Sequence, residues 1–305
     1  MVTNEDNYIR FDWAMKRLLR NKANYVVLEG FLSSLLGKKF KIHRFLESES
    51  NQEDEDDKYN RVDILAESEN EQLCIIEVQN SREQTYFHRM LYGVSKAITE
   101  YIGLGKPYEA VRKVYSINIV YFELGQGKDY VYHGKTEFVG EHEPHDTLKL
   151  SIRQNEKFFG IKDDKLELRK SPGDLFPEYY ILRVNDFDKV ATTPLDEWIE
   201  FLKTGSISSK ATAAGLPEAR ERLRVDSLSQ KDKQAYYRHL EAVRHMKSLF
   251  DTSRDEGYQD GLTEGRIEGR AEGRAEGRAE GRAEGRAEGE KEKAKEIALK
   301  LLALN

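Results

Sequence analysis

Two short apolar runs, each interrupted by an acid, constrain this chain more than any other feature: Arg61-Val62-Asp63-Ile64-Leu65-Ala66 and Leu73-Cys74-Ile75-Ile76-Glu77-Val78-Gln79. β-Branched and long aliphatic residues fill a few positions between polar breaks, the pattern of consecutive strands. A carboxylate inside such a run is costly to bury unless something compensates it. Side chains alternate along a strand, so Glu77 and Gln79 share one face while Ile76 and Val78 share the other. If the two strands pair, Asp63 and Glu77 can converge on one divalent cation, the arrangement that phosphodiester hydrolysis needs; a strand-end pair bound to Arg or Lys is the alternative reading.

The flanking sequence supplies the rest of an α/β layer. Residues 12–36 read as helix in two pieces. Trp13, Leu18, Leu19, Tyr25, Val26, Leu28, Phe31, Leu32, Leu35 and Leu36 form its apolar stripe, and Gly37 is its stop. A first strand is expected near 40–46, followed by an acidic loop over 47–58 that lacks the fixed ligand spacing of a calcium site. A helix from about Thr85 to Ile102 buries Tyr86, Met90, Gly93, Val94, Ala97 and Tyr101, and 103–107 end it. Val114–Phe122 is the next strand. Beyond it, 129–139, 165–169 and 179–184 read as strands, and 194–204 and 229–250 as helices, with no chemistry-bearing motif among them. The expected fold class is α/β, with an αβββαβ core in residues 1–125. An accessory α+β or helical segment would then span 126–250, and a tail 251–305.

At 305 residues the chain is long enough for one large core with appendages, and its net charge of −6 argues against a surface coated in basic groups. A nucleic-acid substrate is still compatible if a local basic face does the binding. Lys16, Arg17, Arg20, Lys22, Lys38, Lys39, Lys41 and Arg44 are candidates for that face, and ordinary solvated charges are the alternative reading. The one cysteine, Cys74, cannot make an internal disulfide and suits a buried reduced thiol. Seven scattered histidines show no zinc spacing. No secretory pattern opens the chain and no apolar run approaches a membrane span, so a cytoplasmic protein without membrane contact is expected.

From Gly257 to Gly289 every fourth residue is glycine, and Gly-Arg-Ala-Glu recurs from Gly269 to Glu288. An isolated helix of this composition is poor. Each interior glycine costs about 1 kcal/mol relative to alanine, and the period places Glu over Glu and Arg over Arg. Two readings stand: a disordered tail, or a helix that packs along its small-residue stripe against another copy of the chain. In the second case the stripe winds right-handed, because a period of four exceeds 3.6. A short amphipathic stretch over 291–304 closes the sequence.

Five segments in order carry a resemblance: Phe11-Asp12-Trp13-Ala14-Met15-Lys16-Arg17-Leu18-Leu19, Phe31-Leu32-Ser33-Ser34-Leu35-Leu36, Val62-Asp63-Ile64-Leu65, Ile76-Glu77-Val78-Gln79 and Phe87-His88-Arg89-Met90-Leu91-Tyr92. Together they resemble the PD-(D/E)XK nuclease superfamily, and within it the PD-(D/E)XK family transposases, or Rpn-type recombination-promoting nucleases. The resemblance covers the first half of the chain and weakens beyond about Phe122. It implies a restriction-endonuclease-like fold and a metal-dependent DNA endonuclease tied to recombination or mobile DNA. It also implies Asp63 and Glu77 as ligands of Mg²⁺ or Mn²⁺, with the carbonyl of Val78 as a third. Gln79 stands where the superfamily usually has Lys; an amide orients a water but carries no positive charge. Arg89 on the following helix is the candidate for that charge, against the plainer reading of a surface arginine. Asp12 is either an outer ligand or the cap of the first helix, and Glu29 is a lesser candidate. The tail makes homo-oligomerisation an expectation beside DNA binding. The rival reading is a catalytically weak or inactive nuclease-fold protein that acts in binding and assembly through its repeat tail. An RNA-directed nuclease would share the same site.

Overall fold

The computed structural model describes residues 8–17, 19, 21–46, 63–102, 107–160 and 170–302. The acidic loop, the strand expected over 165–169 and most of the stop over 103–107 lie outside them.

The two helical pieces expected at the start are α1 (Phe11–Arg17) and α2 (Tyr25–Leu36), and Gly37 ends α2 in the left-handed region at φ 63°. Then come β1 (Ile42–Leu46), β2 (Ile64–Ser68) and β3 (Leu73–Gln79), joined antiparallel in sequence order. Helix α3 (Tyr86–Ile102) crosses over to β4 (Val114–Val120), which pairs parallel with β3 from Leu73↔Val114 to Gln79↔Val120. A parallel neighbour requires such a crossover, because a hairpin can join only antiparallel strands. This is the αβββαβ arrangement of a restriction-endonuclease-like fold.

Residues after 125 enlarge the same sheet. β5 (Val131–Gly134) and β6 (Glu178–Arg183) give the strand order β1-β2-β3-β4-β6-β5, with β6 parallel to β4 and β5 antiparallel to β6. The strand expected over 129–139 is therefore only its first part; after Gly134 the chain leaves the sheet. Two short helices without a sequence forecast appear, α4 (Ile152–Phe159) and α6 (Leu216–Arg222), while α5 (Pro194–Thr204) fills the expected range. The last element is α7 (Gln230–Leu302), 73 residues of continuous helix.

The central strands bury both faces, which is why β3 and β4 read as near-continuous apolar runs. On one face Cys74, Ile76, Val78, Ile117 and Ile119 meet α1, α2, α5, α6 and the first turns of α7. At its centre Trp198 lies among Phe11, Phe31 and Phe201 at ring distances of 5.4–6.1 Å. On the other face Leu65, Leu73, Ile75 and Val114 meet Val94 and Ala97 of α3, while Tyr86 and Met90 pack on Val120 and Leu124. Cys74 is a buried free thiol in this core, and burial pushes it up, far from reactivity. The chain forms two compact units, Met1–Val243 and Arg244–Asn305. In the second, the described residues form exposed helix, and no neighbouring atom stands where a Cβ would sit on any of the nine glycines from Gly257 to Gly289. The tail is thus helical. No helix among the described residues is long and apolar enough to cross a membrane.

Candidate functional site

Glu77 and Gln79 lie on the α3 side of the sheet, on the same parity as Leu73 and Ile75, as strand alternation requires. β2 runs antiparallel to β3 with Ile64 opposite Ile76, so the next step along the ladder sets Asp63 against Glu77. Asp63 Oδ2 accepts the backbone N–H of Val78 at 2.8 Å. Val78 therefore meets Asp63 through its amide rather than through its carbonyl.

Glu77 is 7% exposed. The hydroxyl of Tyr86 lies 3.4 Å from Glu77 Oε2 and 3.2 Å from Asn118 Oδ1, and its single proton can serve one of them at a time. Asn118 stands directly across from Glu77 in the β3–β4 register and donates to Ser116 and to the carbonyl of Tyr180. The guanidinium of Arg89 approaches from α3, with Nε 3.5 Å from Glu77 Oε2 and Nη1 3.2 Å from Glu83 Oε2. Burial, with like charge from Asp63 and Glu83, pushes the Glu77 carboxyl up to about 7 against the opposing pull of Arg89 and the Tyr86 hydroxyl. Burial and the Glu77 charge likewise push the Tyr86 phenol up. Gln79 Nε2 donates to Ser81 Oγ at 3.3 Å.

Asp12 lies in the first turn of α1 and has partners of its own. It accepts from Arg10 Nε at 3.2 Å, from Asn80 Nδ2 at 3.1 Å and contacts His239 Nε2 at 3.1 Å. Arg10 also donates to Asn80 at 3.3 Å, and its backbone N–H donates to Tyr236. Burial works against this charge, yet His239, Arg10 and Asn80 together hold Asp12 well below the usual carboxylate range. The network ties α1, the residue after β3 and the first turns of α7 together. Glu29, the lesser acid, accepts from Lys41 and from the backbone of Ile42, joining α2 to β1.

The structure thus brings together Asp63, Glu77, Val78 and Arg89, sets Gln79 at the end of the same strand, and gives Asp12 a separate cluster. The residues missed in the sequence are Tyr86, Glu83, Asn118, Asn80 and His239. Asn118 carried the same signal as Glu77, a polar side chain inside an apolar strand; His239 carried none. Of the proposed basic face, Lys38, Lys41 and Arg44 contact Tyr115, Glu29 and Glu67, and Arg17 lies over Trp13. Lys22 and Lys39 remain exposed, and Arg20 and the Lys16 side chain lie outside the described residues. Among the described residues no group of three His, Cys, Asp or Glu side chains stands arranged to hold a metal ion.

Residues 9–158 match the profile of a family described as PD-(D/E)XK nuclease family transposase. That span contains every site residue named above except Tyr180, Tyr236 and His239. No curated protein and no solved structure matches the chain.

Proposed function

We propose that this chain is a nuclease-fold protein of modest catalytic power, which binds DNA and hydrolyses its phosphodiester bonds with a divalent cation at Asp63 and Glu77. One observation carries this reading: Glu77, set against Asp63 across two strands, is buried, and burial first, then the neighbouring charge of Asp63, raises its carboxyl despite the contact with Arg89. The donor chemistry fits a hard cation, which takes carboxylate oxygens and keeps several waters. Asp63 and Glu77 would hold Mg²⁺ or Mn²⁺, with the Val78 carbonyl as the expected third protein oxygen. Such an ion relieves charge on the phosphate and makes a bound water more acidic.

The chain's own groups do the remaining work. Tyr86 and Asn118 fix the Glu77 side of the site. Gln79 orients a water through its amide but contributes no charge, and Arg89 supplies the positive charge at the developing oxyanion. Modest power follows from that division, because the amide stands where a fixed ammonium would act. Sequence preference is expected to be weak, with phosphate contacts dominating affinity. Membership of the Rpn-type group, a role in recombination or mobile DNA, a cytoplasmic setting and self-association through the tail of residues 251–305 belong to the same proposal.

A specific observation favours a second reading, a wholly inactive protein acting by assembly. Arg89 already sits on Glu77, and the described residues offer no third His, Cys, Asp or Glu arranged with the pair to hold a metal ion. Binding of Mn²⁺ to the full chain, followed by water-proton relaxation, separates the two. Uptake abolished by Asp63→Asn and by Glu77→Gln in folded protein supports the first reading; its absence leaves the second.

A further inference from the structure

We propose that Glu83 is a positioning residue that keeps Arg89 at the site in two successive roles: counter-ion of Glu77 while no cation is bound, and phosphate-facing cation once one is. The proposal rests on the metal reading above and adds to it a residue outside both the sequence motifs and the strands.

The geometry points to a divided grip. Arg89 meets Glu77 through Nε and Glu83 through Nη1, so either contact can break while the other holds. A guanidinium offers five donors in a planar fork and can serve two carboxylates in this way. The Glu77 side is the weaker: Nε lies 3.5 Å from the carboxylate, and among the described residues that buried nitrogen has no hydrogen-bond partner. The Glu83 side is a hydrogen bond of 3.2 Å, and Thr85 steadies the other Glu83 oxygen at 3.4 Å. Glu83 belongs to the connection between β3 and α3, and its side chain is more exposed than that of Glu77, 31% against 9%. A divalent cation on Glu77 would repel a guanidinium at this distance. Arg89 would leave Glu77, and Glu83 would retain it beside the site, where Gln79 leaves positive charge wanting.

The test uses the full chain in four forms: wild type, Arg89→Gln, Glu83→Gln and the double variant. Mn²⁺ affinity is measured without nucleic acid, and plasmid nicking is measured separately. Arg89→Gln is expected to bind Mn²⁺ about tenfold tighter or more, since one like charge has left contact range, and to cut more slowly. Glu83→Gln is expected to bind Mn²⁺ more weakly than wild type, because Arg89 then turns wholly to Glu77. The double variant is expected to match Arg89→Gln, because Glu83 acts only through Arg89. Should Arg89→Gln fail to fold, Arg89→Met reads the same contest, since it keeps an unbranched stem without the charge and Mn²⁺ binding should tighten. Unchanged or weakened Mn²⁺ binding in folded Arg89→Gln or Arg89→Met overturns the inference. So does an equal loss on Glu83→Gln with and without Arg89, which would make Glu83 itself a ligand. In both cases wild-type uptake that Asp63→Asn abolishes leaves the metal reading standing. No Mn²⁺ uptake by wild type or by the Arg89 variants overturns both.

Discussion

Glu77 and Asp12 are both buried acids, and their surroundings drive them in opposite directions. Glu77 is raised to about 7 by burial and by Asp63 and Glu83. In a chelator, the folded state therefore holds a proton there that the unfolded state releases near the ordinary Glu value of 4.5. Its contribution is present below that value and lost as pH rises through about 7. Stability should fall over that window by on the order of 3 kcal/mol from this group, and Glu77→Gln should flatten the curve and be the more stable protein at pH 8. Urea midpoints across pH would read both, and an unchanged slope in Glu77→Gln would refute the assignment. Asp12 is lowered, so its contribution is present above the ordinary Asp value and lost only in acid. Asp12→Asn weakens the contacts to Arg10 and His239 and should cost roughly 2 kcal/mol while leaving Mn²⁺ affinity within about twofold. A tenfold loss of Mn²⁺ binding would instead make Asp12 an outer ligand.

At the scale of elements, the central strands were legible because burial on both faces leaves apolar runs in which Asp63 and Glu77 stand out. The helix before β1 and the crossover α3 announced themselves by period and by Gly37. The ranges 129–139 and 179–184 were read as strands and hold β5 and β6, but where these pair was silent for physical reasons. β6 and β5 pair with strands far away in sequence, a non-local choice that short apolar runs do not encode. The contact between His239 and Asp12 spans 227 positions, and nothing local to either residue signals it. Continuity of α7 through its glycines runs against intrinsic propensity. That conflict yields a prediction: replacing Gly269, Gly273 and Gly277 by alanine should raise the helicity of an isolated tail peptide. In the full chain the same change should reduce self-association if the glycine stripe is the packing surface. Circular dichroism and light scattering read the two effects, and unaltered mass in the full chain would remove the stripe from the interface.

For the molecule as a whole, the compact unit Met1–Val243 has the fold and the acid pair, while in Arg244–Asn305 the described residues form exposed helix without a core of their own. Isolated helices rich in glycine are marginal in water, which favours a partner for the tail. Truncation after Phe250 should therefore lower the solution mass to that of one chain and leave Mn²⁺ binding intact; an unchanged mass would place self-association elsewhere.

The most direct test of the central claim is nicking of supercoiled plasmid by wild type and by Asp63→Asn with Glu77→Gln, in Mg²⁺, Mn²⁺ or EDTA. The proposed function predicts slow cleavage with either metal, none in EDTA, and none by the folded double variant. Absence of cleavage by folded wild type with both metals, or equal cleavage by the double variant, would contradict it.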